Sequence, residues 1–274
     1  MRKPLSFLAL LCSTLSVSNA FAYTIDGSLS DWGVTQNIGA SGWIPSAGIH
    51  YTLEDQHGSY LNPGYGGQAY DAEALYATIA DNRLYIALAT GHNPNTLHNP
   101  AKNSYGAGDF AIDFGQDGTY ELGINIQHVI LADGTKEGFG VEGGVYANPT
   151  WALGLWTTNG QYNPGTPDPT HPTHLTAGDL LGMAELAYTT MGQTGYGAWA
   201  GDKHYFYEMS VDLNLLSLGG WNGQAFNIHW TENCANDSII VDPPAAHVPE
   251  PGTLALLPLG ALGILALRRH RSAY

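Results

Sequence analysis

Apolar and polar residues alternate along much of the chain, which is the pattern of β-strands. Two such runs, at residues 74–80 and 84–90, flank the turn-forming pair Asp81-Asn82. The first run places Leu75, Ala77 and Ile79 on one face, and the second repeats the pattern with alternate apolar residues. The sequence therefore predicts a β-hairpin at this point.

A second hairpin is predicted at residues 109–126 around the turn at 115–118. Further strands are predicted at 128–131, 138–146, 204–212, 225–230 and 238–241. Only residues 177–187 and 213–218 have the pattern of short helices, and 91–104 and 159–177 are long Gly/Pro-rich loops. Many short strands joined by such turns predict an all-β fold, an antiparallel β-sandwich of jelly-roll type over residues 23–242.

Composition agrees with this class and excludes others. The 274 residues include 35 Gly and 15 Pro, and only 12% are charged, although 44% are hydrophobic. That balance excludes a disordered chain and argues against a helical bundle. Between residues 4 and 267 there are four basic residues and all 24 acidic ones. So acidic a body cannot neutralise phosphates, which excludes nucleic acid as a partner.

The N-terminal residues 1–22 have the organisation of a secretory signal peptide. Arg2 and Lys3 precede an apolar stretch, and Ala20-Phe21-Ala22 is a small-x-small cleavage site with Ala20 and Ala22 at the small positions. We therefore expect export through the Sec machinery. Cleavage would leave Cys234 as the sole cysteine, so no internal disulfide is expected.

The C-terminal end has three parts after a linker at 243–248. Pro249-Glu250-Pro251 comes first, an apolar stretch at 252–267 follows, and the basic residues Arg268, Arg269 and Arg271 complete it. An apolar helix of this length covers roughly 24 Å, against about 30 Å for a hydrocarbon core. The pattern predicts one short transmembrane helix with its basic end on the cytoplasmic side.

This order of parts, at 249–274, resembles the PEP-CTERM sorting signal of Gram-negative bacteria. The matching residues are Pro249, Glu250, Pro251, Arg268, Arg269 and Arg271. The resemblance implies that the tail lies transiently in the inner membrane and is processed by an exosortase. It also implies delivery to the cell surface or the extracellular matrix, with removal or retention of the tail left open.

The body shows a second resemblance. Thr24-Ile25-Asp26-Gly27 followed by Ser30-Asp31-Trp32 resembles the opening of family 9 carbohydrate-binding modules and related DOMON-like sandwiches. Residues 81–86 and 108–113 are similar to two later motifs of those modules. The resemblance implies a DOMON-like sandwich, whereas the tryptophan clamp that holds sugars in those modules does not map onto this chain.

Tryptophans near Gly and turn residues are candidate carbohydrate-binding groups. Trp151, Trp156 and Trp43 are the residues we select, because sugar C–H faces stack on aromatic rings. The alternative is that such rings cover the core or the sheet edges with their polar ends in water.

Carboxylates around the second hairpin turn are the candidate metal ligands. Asp113, Asp117 and Glu121 supply the hard oxygen atoms that suit Ca²⁺. Asp109 lies about 13 Å from Asp113 along an extended strand, so it cannot join them. The alternative is a solvated Asp-Gly turn without an ion, and no other cofactor is predicted.

No enzyme motif is recognisable in the chain. We therefore expect a non-catalytic protein that binds or organises exopolysaccharide in a biofilm or floc. One alternative is a secreted polysaccharide hydrolase that uses a carboxylate pair such as Glu208 and Glu232. Another is a purely structural matrix protein.

Overall fold

The computed structural model describes residues 23–36, 39–56, 61–126, 129–130, 136–157, 160–162 and 168–243. The predicted signal peptide and the C-terminal tail, with its predicted helix, lie outside these residues. The strands are β1 His50–Leu53, β2 Ala72–Ala80, β3 Arg83–Thr90, β4 Phe110–Phe114, β5 Leu122–Ile124, β6 Val129–Ile130, β7 Lys136–Glu137, β8 Gly144–Leu153, β9 Pro172–Met183, β10 Glu185–Tyr188, β11 Tyr205–Asp212, β12 Phe226–Thr231 and β13 Ser238–Val241. The helices are α1, Leu213–Leu218, and three single 3-10 turns, Ala40–Trp43, Gly67–Tyr70 and Pro100–Lys102.

The strands form two main antiparallel sheets. One has five strands in the order β1-β2-β3-β11-β10, and the other has six in the order β13-β12-β4-β5-β8-β9. Strands β6 and β7 pair separately. The predicted all-β sandwich is confirmed at this level. Within the described ranges, no helix is long and apolar enough to cross a membrane.

The main core lies between the two sheets. Leu75 and Ala77 of β2 and Ile86 and Leu88 of β3 pack there in the β2–β3 hairpin, as the alternating pattern predicts. The six-stranded sheet contributes side chains from its four central strands and from the edge strand β13: Phe110, Ile112, Leu122, Ile124, Val145, Ile228, Trp230 and Ile239. Burial of these apolar surfaces supplies most of the stabilisation of the sandwich.

The five-stranded sheet is covered on its outer face as well. The irregular segment from Tyr23 to Ile49, which we call the N-terminal layer, packs there and forms a second apolar cluster. Its buried side chains are Leu29, Trp32, Val34, Trp43 and Ile49. They contact the residues of the sheet that alternate with the main core, including Tyr76 of β2 and Ala87 of β3. This layer explains why β2 and β3 are buried on both faces.

One carboxylate attaches the N-terminal layer to the sheet. Glu208 of β11 is fully buried, and its Oε2 accepts hydrogen bonds from the backbone N–H groups of Asp26 (3.1 Å), Gly27 (2.6 Å) and Ser28 (3.0 Å). Its Oε1 accepts a bond from Trp32 Nε1 at 2.7 Å. Burial raises the pKa of Glu208 to about 7, although these bonds act in the opposite direction. Both oxygen atoms of Glu208 therefore accept hydrogen bonds that join the N-terminal layer to β11.

Several predicted elements need correction. The segment 177–187 is not a helix but belongs to the edge strand β9 and to β10. The predicted loop at 159–177 ends earlier, because β9 begins at Pro172, and β8 begins later than the predicted strand at 138–146. The second predicted helix is confirmed as α1, where the Asp212 side chain accepts a bond from the N–H of Asn214.

Candidate functional site

The strongest candidate for a binding site is an aromatic cleft of about 260 Å³ beside the end of β8. We call it the Trp156 cleft. It is lined by Tyr65, Gly66, Tyr70, Asn103, Tyr105, Leu155, Trp156, Tyr162 and Asn236. Its volume lies just below the usual range of about 300–1,000 Å³ for small-molecule sites.

Trp156 is held in a fixed orientation at the centre of this cleft. Its indole Nε1 donates a hydrogen bond of 2.6 Å to Asn236 Oδ1. Its ring is tilted against that of Tyr65 and meets that of Tyr162 edge-on, with centroid distances of 5.2 Å and 5.4 Å. Because the polar end of the indole is already bonded, the ring is available mainly for stacking.

Close backbone packing supports this orientation. A Cβ atom at Gly64 would lie only 2.7 Å from the indole of Trp156, so the ring rests directly on that glycine. The N–H of Gly64 donates to the carbonyl of Asn236, and the N–H of Leu155 donates to the carbonyl of Cys234. The loop after β12 and the segment after β8 are therefore packed as one unit beneath the cleft.

The rim of the cleft combines exposed rings with amide groups. Tyr65 and Tyr162 are 41% and 60% exposed, and Asn103 is exposed beside them. None of the described residues that line the cleft is charged. The rim therefore offers aromatic faces for stacking and amide groups for hydrogen bonds to an uncharged polar ligand.

The structure separates the three tryptophans that the sequence groups together. Trp156 lies in the cleft, but Trp43 is fully buried in the N-terminal layer, where it stacks on Tyr196. Trp43 therefore offers no face to a sugar, and its selection as a binding residue was wrong. Trp151 is half-buried on β8, where its ring packs against Gly123, and it does not line the cleft.

The three carboxylates of the predicted calcium site do come together. Oxygen atoms of Asp113, Asp117 and Glu121 lie within 4.8 Å of one another. Each carboxylate also accepts a backbone hydrogen bond within its own hairpin, as when Asp113 accepts from the N–H groups of Asp117 and Gly118. Such bonds are those of an Asp-Gly turn, so calcium at this hairpin stays a prediction.

The carboxylates named for a hydrolase do not share the cleft. Glu208 and Glu232 are both fully buried, and neither lines the Trp156 cleft. Glu208 is engaged by the N-terminal layer, as described above. Glu232 lies in the loop between β12 and β13, and its Oε2 accepts from the N–H of Asp237.

Most partners of Trp156 are missing from the sequence-based prediction. Asn103 and Tyr105, Tyr162, and Asn236 come from three separate loops, and only the fold brings them together. The available signal was local: Tyr65 and Tyr70 both lie in a segment dense in Gly, where rings tend to be exposed.

Comparison with known proteins bears on the tail. No curated protein and no solved structure matches the chain, so the resemblance of the body to carbohydrate-binding modules stays a prediction. The family model of the PEP-CTERM protein-sorting motif matches residues 247–271, which contain every residue selected above for the sorting signal. The chain therefore carries a PEP-CTERM sorting motif, which indicates a protein exported through a membrane-anchored intermediate and processed by an exosortase.

Proposed function

We propose that the exported sandwich is a non-catalytic module that binds neutral exopolysaccharide through the Trp156 cleft, at the surface or in the matrix of a Gram-negative cell. The observation that carries this proposal is the fixed, half-buried indole of Trp156 between two exposed tyrosines. The sorting motif supports it, because an exosortase substrate is delivered to the place where such polymers accumulate.

The charge of the protein favours a neutral polysaccharide over an anionic one. The cleft is lined by uncharged residues, so it offers no cation to an anionic polymer. The chain as a whole has a net charge of −15. An anionic polysaccharide would be repelled by this surface, whereas a neutral one would not.

The test is Trp156→Ala in the mature chain, assayed for binding to the neutral exopolysaccharide fraction of the producing organism. We expect affinity to fall by about tenfold or more, since burial of a large apolar side chain contributes about 1.5–3 kcal/mol. Trp151→Ala is the matched control, because it removes a half-buried tryptophan of β8 that lies outside the cleft. Affinity electrophoresis measures both.

Gly64→Ala tests the orientation of the ring without deleting it. The added methyl would meet the indole at 2.7 Å and push it from its seat on the backbone. We expect binding several-fold weaker than wild type, with the circular dichroism spectrum unchanged. Full affinity in this variant would show that the position of the indole does not matter for binding.

Three outcomes would oppose the proposal. Retention of polymer binding in Trp156→Ala and its loss in Trp151→Ala would move the site to the outer face of the six-stranded sheet. Release of reducing ends during incubation with the polymer would favour the hydrolase alternative. Absence of binding in the wild-type protein would leave a structural matrix protein.

A further inference from the structure

A second cavity, of about 420 Å³, lies next to the Trp156 cleft at the 3-10 turn Gly67–Tyr70. We call it the Gln68 cavity. Its volume falls within the range of about 300–1,000 Å³ that is usual for small-molecule sites. The residues that line it include Gln68, Ala69, Asn93, Thr96, Gly201 and Lys203. The cavity is therefore large enough to hold a ligand group of its own.

The turn Gly67–Tyr70 forms a wall that the two spaces share. Gly66 and Tyr70 line the Trp156 cleft, whereas Gln68 and Ala69 between them line the Gln68 cavity. A 3-10 turn rises about 2 Å per residue, so the four residues of this wall span about 8 Å. Gly66 and Ala69 are exposed and carry at most one side-chain carbon, which keeps the crest of the wall low.

The loop between β3 and β4 forms the second shared wall. Its first part lines the Gln68 cavity at Asn93 and Thr96, and its last part lines the Trp156 cleft at Asn103 and Tyr105.

This loop is bonded to the turn. The buried His92 donates from Nδ1 to the carbonyl of Ala69 at 3.0 Å, and the Tyr70 hydroxyl donates to the carbonyl of Asn103 at 3.4 Å. A Cβ atom at Gly91 would collide with the carbonyl oxygen of Gln68, so only glycine lets the loop approach the turn this closely. The boundary between the two spaces is therefore fixed.

A buried pair of side chains orients the amide of Gln68. Its Nε2 donates to Oε1 of Glu73 at 2.8 Å and to the carbonyl of Lys203 at 3.3 Å. Nε2 of His204 lies 2.9 Å from the same Glu73 oxygen, and both of these side chains are 1% exposed. A polar group that is already oriented loses less conformational entropy when a ligand binds.

The chemistry of the Gln68 cavity complements that of the Trp156 cleft. Its walls carry the amides of Gln68 and Asn93 and the hydroxyl of Thr96, which donate and accept hydrogen bonds. Its charged lining residues, Asp202 and Lys203, have opposite signs, so the lining adds no net charge. The cleft therefore offers rings for stacking, and the cavity beside it offers hydrogen-bonding groups for an uncharged ligand.

We propose that one neutral polysaccharide chain occupies both spaces and crosses the turn Gly67–Tyr70 between them. The inference rests on the function proposed for the Trp156 cleft and extends it from a single sugar unit to an internal stretch of several units. One unit stacks on Trp156, and its neighbours along the polymer bond to the groups around Gln68. Because the second part of a bound polymer is already held near its subsite, affinity increases with the length of the polymer.

The test is calorimetric titration of the mature protein with size-separated fragments of the neutral exopolysaccharide fraction. In wild type, fragments of several units should bind about tenfold or more tighter than fragments of one or two units. Gly201→Leu should abolish this difference and leave the binding of short fragments unchanged. A Cβ atom at Gly201 meets nothing within 4 Å, so the added side chain enters open space at the cavity. Gly201→Ala is the matched control, because it makes the same backbone change with little added volume.

Thr96→Val is a second variant, which removes one hydroxyl from the cavity and keeps the shape of the side chain. It should weaken the binding of long fragments several-fold and leave that of short ones unchanged.

Two results separate this inference from the function proposed for the cleft. Equal affinity of wild type for short and long fragments, with Gly201→Leu like wild type and Trp156→Ala impaired, would overturn the inference and leave the cleft as the binding site. Loss of long-fragment binding in Gly201→Leu but not in Trp156→Ala would contradict the function proposed for the cleft, and with it the inference.

Discussion

Replacing Glu208 with glutamine is expected to lower the free energy of unfolding by about 3–5 kcal/mol. Three backbone N–H groups converge on one oxygen of Glu208, and the Trp32 indole binds the other. An amide has one oxygen, and its NH₂ group would point at donors in either orientation. The N-terminal layer would therefore lose the bonds that attach it to β11, although the side chain keeps its shape.

Urea denaturation, followed by tryptophan fluorescence, measures this loss. Glu185→Gln is the matched control, because Glu185 lies on the neighbouring strand β10 with its side chain 66% exposed. That variant should change stability by less than about 0.5 kcal/mol. Equal stability of the two variants would show that Glu208 does not hold the N-terminal layer in place.

The second large effect is a loss of stability at alkaline pH. Burial raises the pKa of Asp71 to about 9, of Glu73 to about 8, and of Glu54 and Glu208 to about 7. In the unfolded chain these groups titrate near their ordinary values of 3.8 to 4.5. Their protons are therefore retained only in the folded state, and the stability they confer is lost as pH rises from about 4.5 through about 9.

Buried histidines cause a loss of stability at acidic pH. Burial lowers the pKa of His92 to about 4 and that of His229 to about 3, from an ordinary value of 6.5. Their unfolded forms bind protons below that value, so stability also falls on acidification through this range. We expect the two effects to oppose each other between about pH 4 and pH 6, where stability is greatest, and a loss of more than about 3 kcal/mol by about pH 9.

Urea unfolding across this range checks the curve. Asp71→Asn should flatten its alkaline limb, because the neutral amide has no proton to lose. A wild-type protein whose stability rises from pH 6 to pH 9 would contradict the burial of these acids.

Parts of the fold could be predicted because the signal was local. The β2–β3 hairpin follows from strict alternation around Asp81-Asn82, and β13 was predicted with the bounds that the structure shows. Strand β9 could not be predicted from the sequence. It is an edge strand with shifts of register against β8, and its exposed positions do not alternate. Its two adjacent leucines gave it the apolar pattern of a helix.

The buried acidic residues are a second feature that the sequence alone could not predict. Asp71 and Glu73 stand two residues apart at the beginning of an apolar strand, a spacing that places both on one face. From the sequence alone, that face of the strand could equally well be exposed to solvent or buried. The third partner, Asp237, is remote in the chain, and only the packing of β13 beside β1 and β2 brings it there. Likewise, Trp156 could be selected by residue type, but its hydrogen bond to Asn236 could not be predicted from the sequence.

The strand β13 also determines how the domain would bear a mechanical load. It ends at Val241, a few residues before the sorting motif, so tension on a membrane-held tail enters the sandwich through this four-residue strand. Thr52 bonds to the carbonyl of Ile240, His50 to that of Asp242, and Asp237 fixes the other end. These hydrogen bonds attach β13 and its two ends to β1 and β2, at the point where a pulling force would first separate the strand from the domain. They therefore resist the force before it acts on the core.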